Sequence, residues 1–260
     1  MSGLIDSHSH IDVAAFDADR GAVLERARAA GITRQIVPAV TFDAFGKLRD
    51  LCKAEAGLYP AYGLHPTFLA QHRPEHVEQL GAWIEHERPV AVGECGLDFS
   101  VAGLDLDAQR LYFQRQLELA RDFDLPLIVH GRGAFDEVTA TFRRIGGLRG
   151  VVHSFGGSLE QAQQLWKLGF CIGIGGPVTY ERAKRLRRIV ATMPLEFLLL
   201  ETDSPDQPLH GHQGARNEPA MLTQVCNVVA ALRGETPEYV ADATTRNAVA
   251  LFRLTDSPSG

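Results

Sequence analysis

The sequence is poor in cysteine, in long apolar runs and in positive charge. Its cysteines are scattered without paired spacing, at Cys52, Cys95, Cys171 and Cys226. This scatter argues against a disulfide framework and a thiolate zinc site, and it favours a reducing cytoplasm. No stretch approaches the roughly 18 apolar residues that a membrane span needs, and the first residues lack the regions of a signal peptide. We therefore predict a cytoplasmic protein without a membrane partner.

The sequence also lacks an excess of positive charge and a Gly-rich loop after its first apolar run, and each absence disfavours one class of protein. The net charge is −6 at pH 7, whereas proteins that track a long duplex electrostatically are usually basic. Global charge thus gives no support for non-specific nucleic-acid binding, although bound cations can still attract phosphate locally. No Gly-rich loop follows the first apolar run, where the chain reads Ser9-His10-Ile11-Asp12. This disfavours the alternative of a doubly wound open sheet.

The chain does contain one repeated rhythm, in which a short apolar run precedes an amphipathic stretch of about 10–18 residues. We predict strands at Leu4–His10, Gln35–Val40, Leu58–His65, Val90–Leu97, Leu127–His130, Val151–His153, Cys171–Gly175 and Phe197–Asp203. Parallel strands in this number, with helices between them, close naturally into a barrel. We therefore predict a single (β/α)8 TIM-type barrel domain over residues 1–254, followed by a flexible tail at 255–260.

Ionisable residues recur at the carboxyl ends of these strands, the edge where barrel enzymes place their active sites. They are rare on buried strands. On one strand, His8 and His10 point the same way and can reach one ion. Hydrogen-bonded or lone core histidines and a salt-bridged glutamate are the alternatives. We predict that the following residues bind two divalent cations: His8, His10, Glu94, His130, His153 and Asp203.

Glu94 is the candidate for a bridge between two cations, one oxygen to each. Barrel hydrolases with a carbamylated lysine use that group as the bridge. No lysine here ends a predicted strand, because all lie in helical patterns: Lys47, Lys53, Lys167 and Lys184. A bridging glutamate is therefore the more economical choice.

The ligand chemistry indicates a hydrolase. Imidazole and carboxylate ligands suit Zn, Mn, Fe, Ni or, less well, Mg. Two such cations about 3.5–4 Å apart activate water and polarise a phosphoryl oxygen. We expect Asp203 to bind metal and to accept the proton of the attacking water. Glu201, two residues earlier, is interpreted as an orienting or structural residue.

Several other residues are candidates for substrate contacts. His65 ends the third predicted strand, where it can orient phosphate, assist proton transfer or serve a structural turn. Arg132 and Arg216 are candidate phosphate contacts or ordinary surface arginines. His210 and His212 lie in the loop after the eighth strand, above the expected mouth of the barrel.

A series of motifs follows in fixed order along nearly the whole chain. The motifs are Asp6-Ser7-His8-Ser9-His10, Gly63-Leu64-His65-Pro66, Val92-Gly93-Glu94-Cys95-Gly96-Leu97-Asp98, Pro126-Leu127-Ile128-Val129-His130, His153-Ser154-Phe155-Gly156-Gly157, Leu200-Glu201-Thr202-Asp203-Ser204-Pro205 and Gly214-Ala215-Arg216-Asn217-Glu218-Pro219. Together they resemble the TatD family of metal-dependent deoxyribonucleases, among the amidohydrolase-like barrels. The resemblance is strongest to the bacterial YjjV-like branch, through residues 173–180.

The resemblance implies a division of the ligands. His8, His10 and Asp203 would hold one metal, the histidines at 130 and 153 the second, and Glu94 would bridge them, with His65 near the substrate. Family members cleave DNA with divalent metal, often as 3′ exonucleases. The chain departs from the family pattern at Ser9, Cys95 and Ser154, and none of these departures removes a ligand. The motifs therefore predict metal binding but do not identify the substrate.

We therefore predict a metal-dependent deoxyribonuclease of the 3′-exonuclease type that acts on single-stranded DNA or 3′ ends. Its catalytic residues are Asp203, Glu94 and His65, and its cofactors are two divalent cations, Mg, Mn or Zn. No obligate protein partner is expected. The alternatives are a small-molecule hydrolase of phosphoesters, lactones or amides at the same two metals, and a barrel that binds without turnover.

Overall fold

The computed structural model describes residues 3–255, and its framework is one sheet of short parallel strands. The strands are paired in chain order, each with the next. They are β1 Leu4–Asp6, β2 Ile32–Pro38, β3 Leu58–Tyr62, β4 Ala91–Asp98, β5 Leu127–Arg132, β6 Gly150–Val152, β7 Phe170–Ile174 and β8 Leu198–Leu200.

The first and last strands are brought together by backbone hydrogen bonds. The Ser7 N–H donates to the Leu200 carbonyl at 3.0 Å, and the Asp203 N–H donates to the His8 carbonyl at 2.9 Å. The eight parallel strands therefore form a nearly closed barrel, and the predicted fold class is confirmed.

Two layers of apolar side chains explain why these segments form buried strands. A cluster takes one residue from every strand, as expected where alternate side chains point into a barrel. Helix α9 (Pro237–Phe252) adds Ala248, Leu251 and Phe252 to it. The same helix bonds the start of β8, where Asn247 Nδ2 donates to the Leu198 carbonyl at 2.9 Å. Helix α9 thus covers the amino ends of the strands, opposite the ends that carry the polar residues. A larger cluster joins the outer strand faces to the helices.

The predicted helical patterns between the strands are found as helices, and several begin at a side-chain cap. Asp105 accepts from the N–H groups of Asp107 and Ala108 at the start of α4 (Leu106–Asp122), and Ser158 forms a capping box with Gln161 at the start of α6 (Leu159–Lys167). The remaining helices, in chain order, are α1 Arg20–Ala29, α2 Phe45–Ala54, α3 His76–Glu87, α5 Phe135–Ile145, α7 Lys184–Thr192 and α8 Leu222–Arg233.

Several strands end earlier than predicted. β1 ends at Asp6, and His8 lies beyond it. The Asp6 carboxylate accepts a hydrogen bond from the His8 N–H at 3.2 Å, so this N–H does not take part in the hydrogen bonds between strands. β8 ends at Leu200, and Asp203 has a left-handed φ of 55° that a strand does not accommodate. The prediction that these residues belong to the strands was therefore wrong, although they follow the strands closely.

Two further predictions concern the C-terminal tail and membrane-spanning segments. The predicted flexible tail lies outside the described residues, except for Thr255. Among the described residues, no helix combines the length and apolar character needed to cross a bilayer.

Candidate metal centre

The Glu94 carboxylate lies at the centre of a ring of histidines on the carboxyl-end face of the barrel. It is 2% exposed. Its Oε2 is 3.3 Å from His8 Nε2 and 3.4 Å from His10 Nε2. Its Oε1 is 2.7 Å from His153 Nε2 and 3.3 Å from His130 Nδ1. The two oxygens of one carboxylate therefore face two different pairs of imidazoles.

Asp203 completes the first of these groups. Its Oδ1 lies 3.5 Å from His8 Nε2 and 3.6 Å from His10 Nε2. The two groups adjoin, because the rings of His8 and His153 stack with centroids 4.0 Å apart. The structure thus brings together all six side chains that the sequence analysis selected as metal ligands. Among them, His8, His10 and Glu94 form a cluster that can hold a metal ion.

For His10 and His130, the hydrogen-bond partner of the outer nitrogen determines which nitrogen offers a lone pair. His10 Nδ1 is 3.2 Å from the Pro38 carbonyl, which can only accept, so Nδ1 carries the proton and Nε2 is free. His130 Nε2 is 2.9 Å from Asp98 Oδ2. An ionised carboxylate also only accepts, so the free nitrogen of His130 is Nδ1. Both free nitrogens face Glu94.

His65 has the opposite arrangement. Its Nδ1 accepts a hydrogen bond from the Thr67 backbone N–H at 3.2 Å. A backbone N–H can only donate, so the neutral ring carries its proton on Nε2, which lies 3.0 Å from Glu94 Oε1. His65 therefore enters the centre as a hydrogen-bond donor, although it is close enough to be grouped with Glu94 and His130 as a possible ligand.

The electrostatics of the centre favour a bound cation. Burial would raise the pKa of Glu94, but His65, His153 and His8 around it hold that pKa well below its usual range. Burial lowers the pKa of His8 to about 4. Against the same effect of burial, Glu94 raises the pKa of His10 to about 9 and that of His153 to about 10, so a cation that binds there would displace one proton from each ring. A buried carboxylate that stays charged among nitrogen donors suits a divalent cation.

Close approach of two strands positions these groups. A Cβ on Gly96 would lie 1.9 Å from the His130 carbonyl oxygen. β4 and β5 could therefore not pair at this spacing with a side chain at position 96. The glycine brings the backbone that carries Glu94 next to the backbone that carries His130.

Two polar residues that the sequence analysis did not select, Asp98 and Gln207, support the centre. Asp98 accepts from His130 Nε2, and the bonds from His130 and Ser100 hold its pKa below its usual range although burial opposes this. Gln207 Nε2 donates to Asp203 Oδ2 and to Ser154 Oγ. Asp98 shares a motif with Glu94, which is a signal that could have identified it. Gln207 lies in an irregular loop and carries no such signal.

Glu201, which the sequence analysis interpreted as orienting or structural, is buried behind the histidines. Its Oε1 accepts the Ser154 N–H and lies 3.9 Å from His153 Nδ1. Burial raises the pKa of its carboxyl to about 8. It does not line the open side of the centre.

A cavity of about 1160 Å³ opens above the two groups. Arg132, a predicted substrate contact, lines it, and so does Arg182, which the sequence analysis did not select. The Arg182 guanidinium lies 5.1 Å from the ring centroid of Tyr180, another lining residue. His65 also lines the cavity, close to Thr67 and Phe68.

Arg216 and the two histidines of the last long loop are placed elsewhere. Arg216 bonds both oxygens of Asp19, at 2.8 and 2.7 Å, and its guanidinium lies 4.5 Å from the centroid of Phe16. It is not among the residues that line the cavity, nor are His210 and His212, which are exposed. The geometry therefore gives Arg216 a role in holding the loop to the start of α1 rather than in phosphate contact.

Comparison with known proteins finds relatives along almost the whole chain. A family model described as TatD related DNase matches residues 5–253. The chain is 41% identical over 253 residues to the uncharacterized metal-dependent hydrolase YjjV of Escherichia coli K12, covering 96% of this chain and 98% of the relative. It is 34% identical over 253 residues to the uncharacterized metal-dependent hydrolase YabD of Bacillus subtilis strain 168, covering 96% and 99%. The crystal structure of YjjV superposes with a TM-score of 0.93 at 39% identity, covering 97% and 98% of the two chains.

Proposed function

Because the chain belongs to the TatD family of metal-dependent hydrolases, we propose that it is a deoxyribonuclease that removes nucleotides from single-stranded DNA or 3′ ends. The observation that carries this proposal is the division of the Glu94 carboxylate, with one oxygen toward His8 and His10 and the other toward His130 and His153. A carboxylate so placed suits a pair of cations, as phosphodiester hydrolysis uses in many nucleases.

The ligand assignment is part of the proposal. His8, His10 and Asp203 would hold one cation, His130 and His153 would hold the second, and the two oxygens of Glu94 would bridge them. The residues fit such ions, because His10 Nε2 and His130 Nδ1 are left with free lone pairs and face the Glu94 carboxylate. The donor set suits Zn or Mn and, less well, Mg.

Divalent cations at this centre would supply Lewis acidity, which favours deprotonation of water and polarises a phosphoryl oxygen. Asp203 accepts the proton of the attacking water. Gln207 orients the Asp203 carboxylate by donating a hydrogen bond from its Nε2 to Asp203 Oδ2. With substrate bound, the His65 Nε2–H leaves Glu94 Oε1, which it faces at 3.0 Å, and donates to a phosphoryl oxygen as negative charge develops there. Thr67 keeps that proton in place by occupying Nδ1.

The rim of the cavity supports an anionic substrate. Arg132 and Arg182 are exposed there, and neither has a salt-bridge partner within residues 3–255. Both guanidinium groups are therefore available to phosphate oxygens. The cavity is larger than the roughly 300–1,000 Å³ of a typical small-molecule site. This size suits the end of a DNA strand.

The test is release of nucleotides from a 5′-labelled single-stranded oligonucleotide with Mg, Mn or Zn, and His153→Ala as the control. We expect metal-dependent shortening from the 3′ end, blocked by a 3′-terminal phosphorothioate linkage and absent in the variant. No release above that of the variant with any of the metals would refute the nuclease proposal.

The acidic net charge of −6 favours a second candidate, a hydrolase of small phosphoesters, lactones or amides at the same centre. A chromogenic phosphodiester, a lactone and an amide, each tested with and without metal, separate the two. Turnover of one of these without release from DNA would support the alternative.

The proposal also includes the cellular location and the domain organisation of the protein. Four cysteines without a disulfide favour the cytoplasm as the location. Residues 1–254 are proposed to form one domain, because every described strand belongs to the same barrel.

A further inference from the structure

We propose that Asp98 is a positioning residue for the second cation. Its carboxylate holds the His130 proton on Nε2, so that Nδ1 is left free as a ligand. The inference rests on the proposed function, because it concerns one of the two cation positions assigned there. It adds a residue that acts through a ligand, without contact to metal or substrate.

The Asp98 carboxylate is buried at the end of β4, and each of its oxygens has a defined partner. Oδ2 lies 2.9 Å from His130 Nε2. Oδ1 accepts the Ser100 N–H at 2.8 Å and the Ser100 hydroxyl at 2.7 Å. Asp98 itself is 2% exposed. The carboxylate therefore cannot turn to exchange its partners without loss of bonds to Ser100.

Helix α4 fixes the backbone from which this carboxylate projects. Gln109 is fully buried, and its Oε1 accepts the Asp98 N–H at 2.8 Å. Its Nε2 donates to the Asp98 carbonyl at 3.0 Å. One side chain thus satisfies both backbone groups of Asp98, and this holds the residue in a single orientation toward His130.

His130 is the ligand that depends most on such support. Of the four imidazoles proposed as ligands, three face Glu94 with Nε2, and only His130 faces it with Nδ1. Its Nδ1 is 3.3 Å from Glu94 Oε1 and 3.3 Å from His153 Nε2. A proton on Nδ1 would point at the second cation position and abolish the ligand. Partners that fix the tautomer of a ligating histidine are a general feature of metal sites.

The substitution Asp98→Asn tests this role with almost no change of shape. Both donors of Ser100 require an acceptor at the Oδ1 position, so the amide oxygen goes there and the amide NH₂ faces His130. His130 must then accept through Nε2 and carry its proton on Nδ1, as in catalytic triads where the same exchange yields the wrong tautomer. We expect affinity for the second cation to fall about 10- to 100-fold, while the first cation stays bound.

The measurement is zinc stoichiometry and affinity by equilibrium dialysis, with Ser100→Ala as the matched control. That control removes one hydrogen bond from the same carboxylate but leaves the bond to His130, so it should bind both cations. Two cations bound by Asp98→Asn with wild-type affinity would overturn the inference and leave the proposed function standing. A wild type that binds fewer than two cations would overturn both.

A spectroscopic measurement keeps the test independent of the variant's folding. Long-range ¹H–¹⁵N spectra of the histidine rings in the zinc-loaded wild type should show the His130 proton on Nε2, with His130→Gln to assign the signal. A wild-type proton on Nδ1 would overturn the inference. In Asp98→Asn the proton should move to Nδ1.

Discussion

At the scale of single residues, the histidines of the centre show that one side-chain type performs two different tasks. His10 and His130 donate outward, to the Pro38 carbonyl and to Asp98, and keep an inner lone pair. His65 accepts outward, from the Thr67 N–H, and keeps an inner proton. Distance from Glu94 does not separate these groups, whereas the direction of the outer hydrogen bond does.

His65→Ala should retain both cations and lose turnover. The variant removes the N–H that we propose donates to the reacting phosphate, so we expect kcat to fall about 10²- to 10³-fold, the range for loss of one such donor. His65→Gln keeps an amide donor and should retain more activity. Elemental analysis and steady-state kinetics together check this. Loss of a cation in His65→Ala would show instead that the ring is a ligand.

The two arginines that the sequence analysis paired should differ. Arg132→Ala removes an unpaired guanidinium from the cavity rim, and we expect KM for single-stranded DNA to rise about tenfold, the low end for a charged hydrogen bond. Arg216→Ala breaks the pair with Asp19 outside the cavity and should leave KM unchanged. Equal effects of the two substitutions in the same assay would contradict this placement of Arg216.

At the scale of elements, α4 supports the site through two buried glutamines. Gln109 bonds both backbone groups of Asp98, as described above. Gln116, two turns later, accepts the Leu64 N–H at 2.7 Å and donates to the Leu64 carbonyl at 3.1 Å. Leu64 precedes His65, so α4 holds the backbone beside His65 as well as beside Asp98. The helix thereby satisfies polar groups that the strand ladders of β3 and β4 leave unpaired.

Gln116→Leu should destabilise the protein through the backbone groups that it leaves without a partner. Two buried groups of Leu64 would lose their hydrogen bonds, which costs about 2–4 kcal/mol of the free energy of unfolding. Gln114→Leu, on a half-buried position of the same helix, is the control and should change little. Urea unfolding measures both. A similar midpoint for the two variants would show that the Leu64 bonds contribute nothing.

At the scale of the whole molecule, the barrel brings the residues of the metal centre together. The six proposed ligands follow β1, β6 and β8 or lie within β4 and β5, and they span residues 8 to 203 of the chain. An unfolded chain does not hold these groups together, so cation binding is expected to favour the folded barrel.

Metal should therefore raise the thermal stability of the whole protein. Free cation at 100 times its dissociation constant adds about 2.7 kcal/mol per site to the free energy of unfolding. A chelator should lower Tm, and His153→Ala should gain less from added zinc than the wild type does. Differential scanning calorimetry across a zinc titration checks this. A wild-type Tm that is independent of zinc would contradict metal binding to the native state.

Much of the fold and the set of polar residues in the centre were predictable from the sequence. The alternation of apolar runs with amphipathic stretches depends on local periodicity, so all eight strands and the helices between them were found, with errors at the strand ends. Those errors arise where a side chain such as Asp6 competes for backbone hydrogen bonds. Polar residues directly after apolar runs pointed to His8, Glu94, His130 and Asp203, because the parallel topology gathers strand ends on one face.

Local sequence alone determined which residues reach the carboxyl-end face of the barrel. Tertiary structure alone decided what each of them does there. The lone pair of His130 and the ion pair of Arg216 both depend on partners far away along the chain, Asp98 and Asp19. Hydrogen-bond direction is a property of two groups in space, and a pattern along one chain does not contain it until folding brings the two groups together.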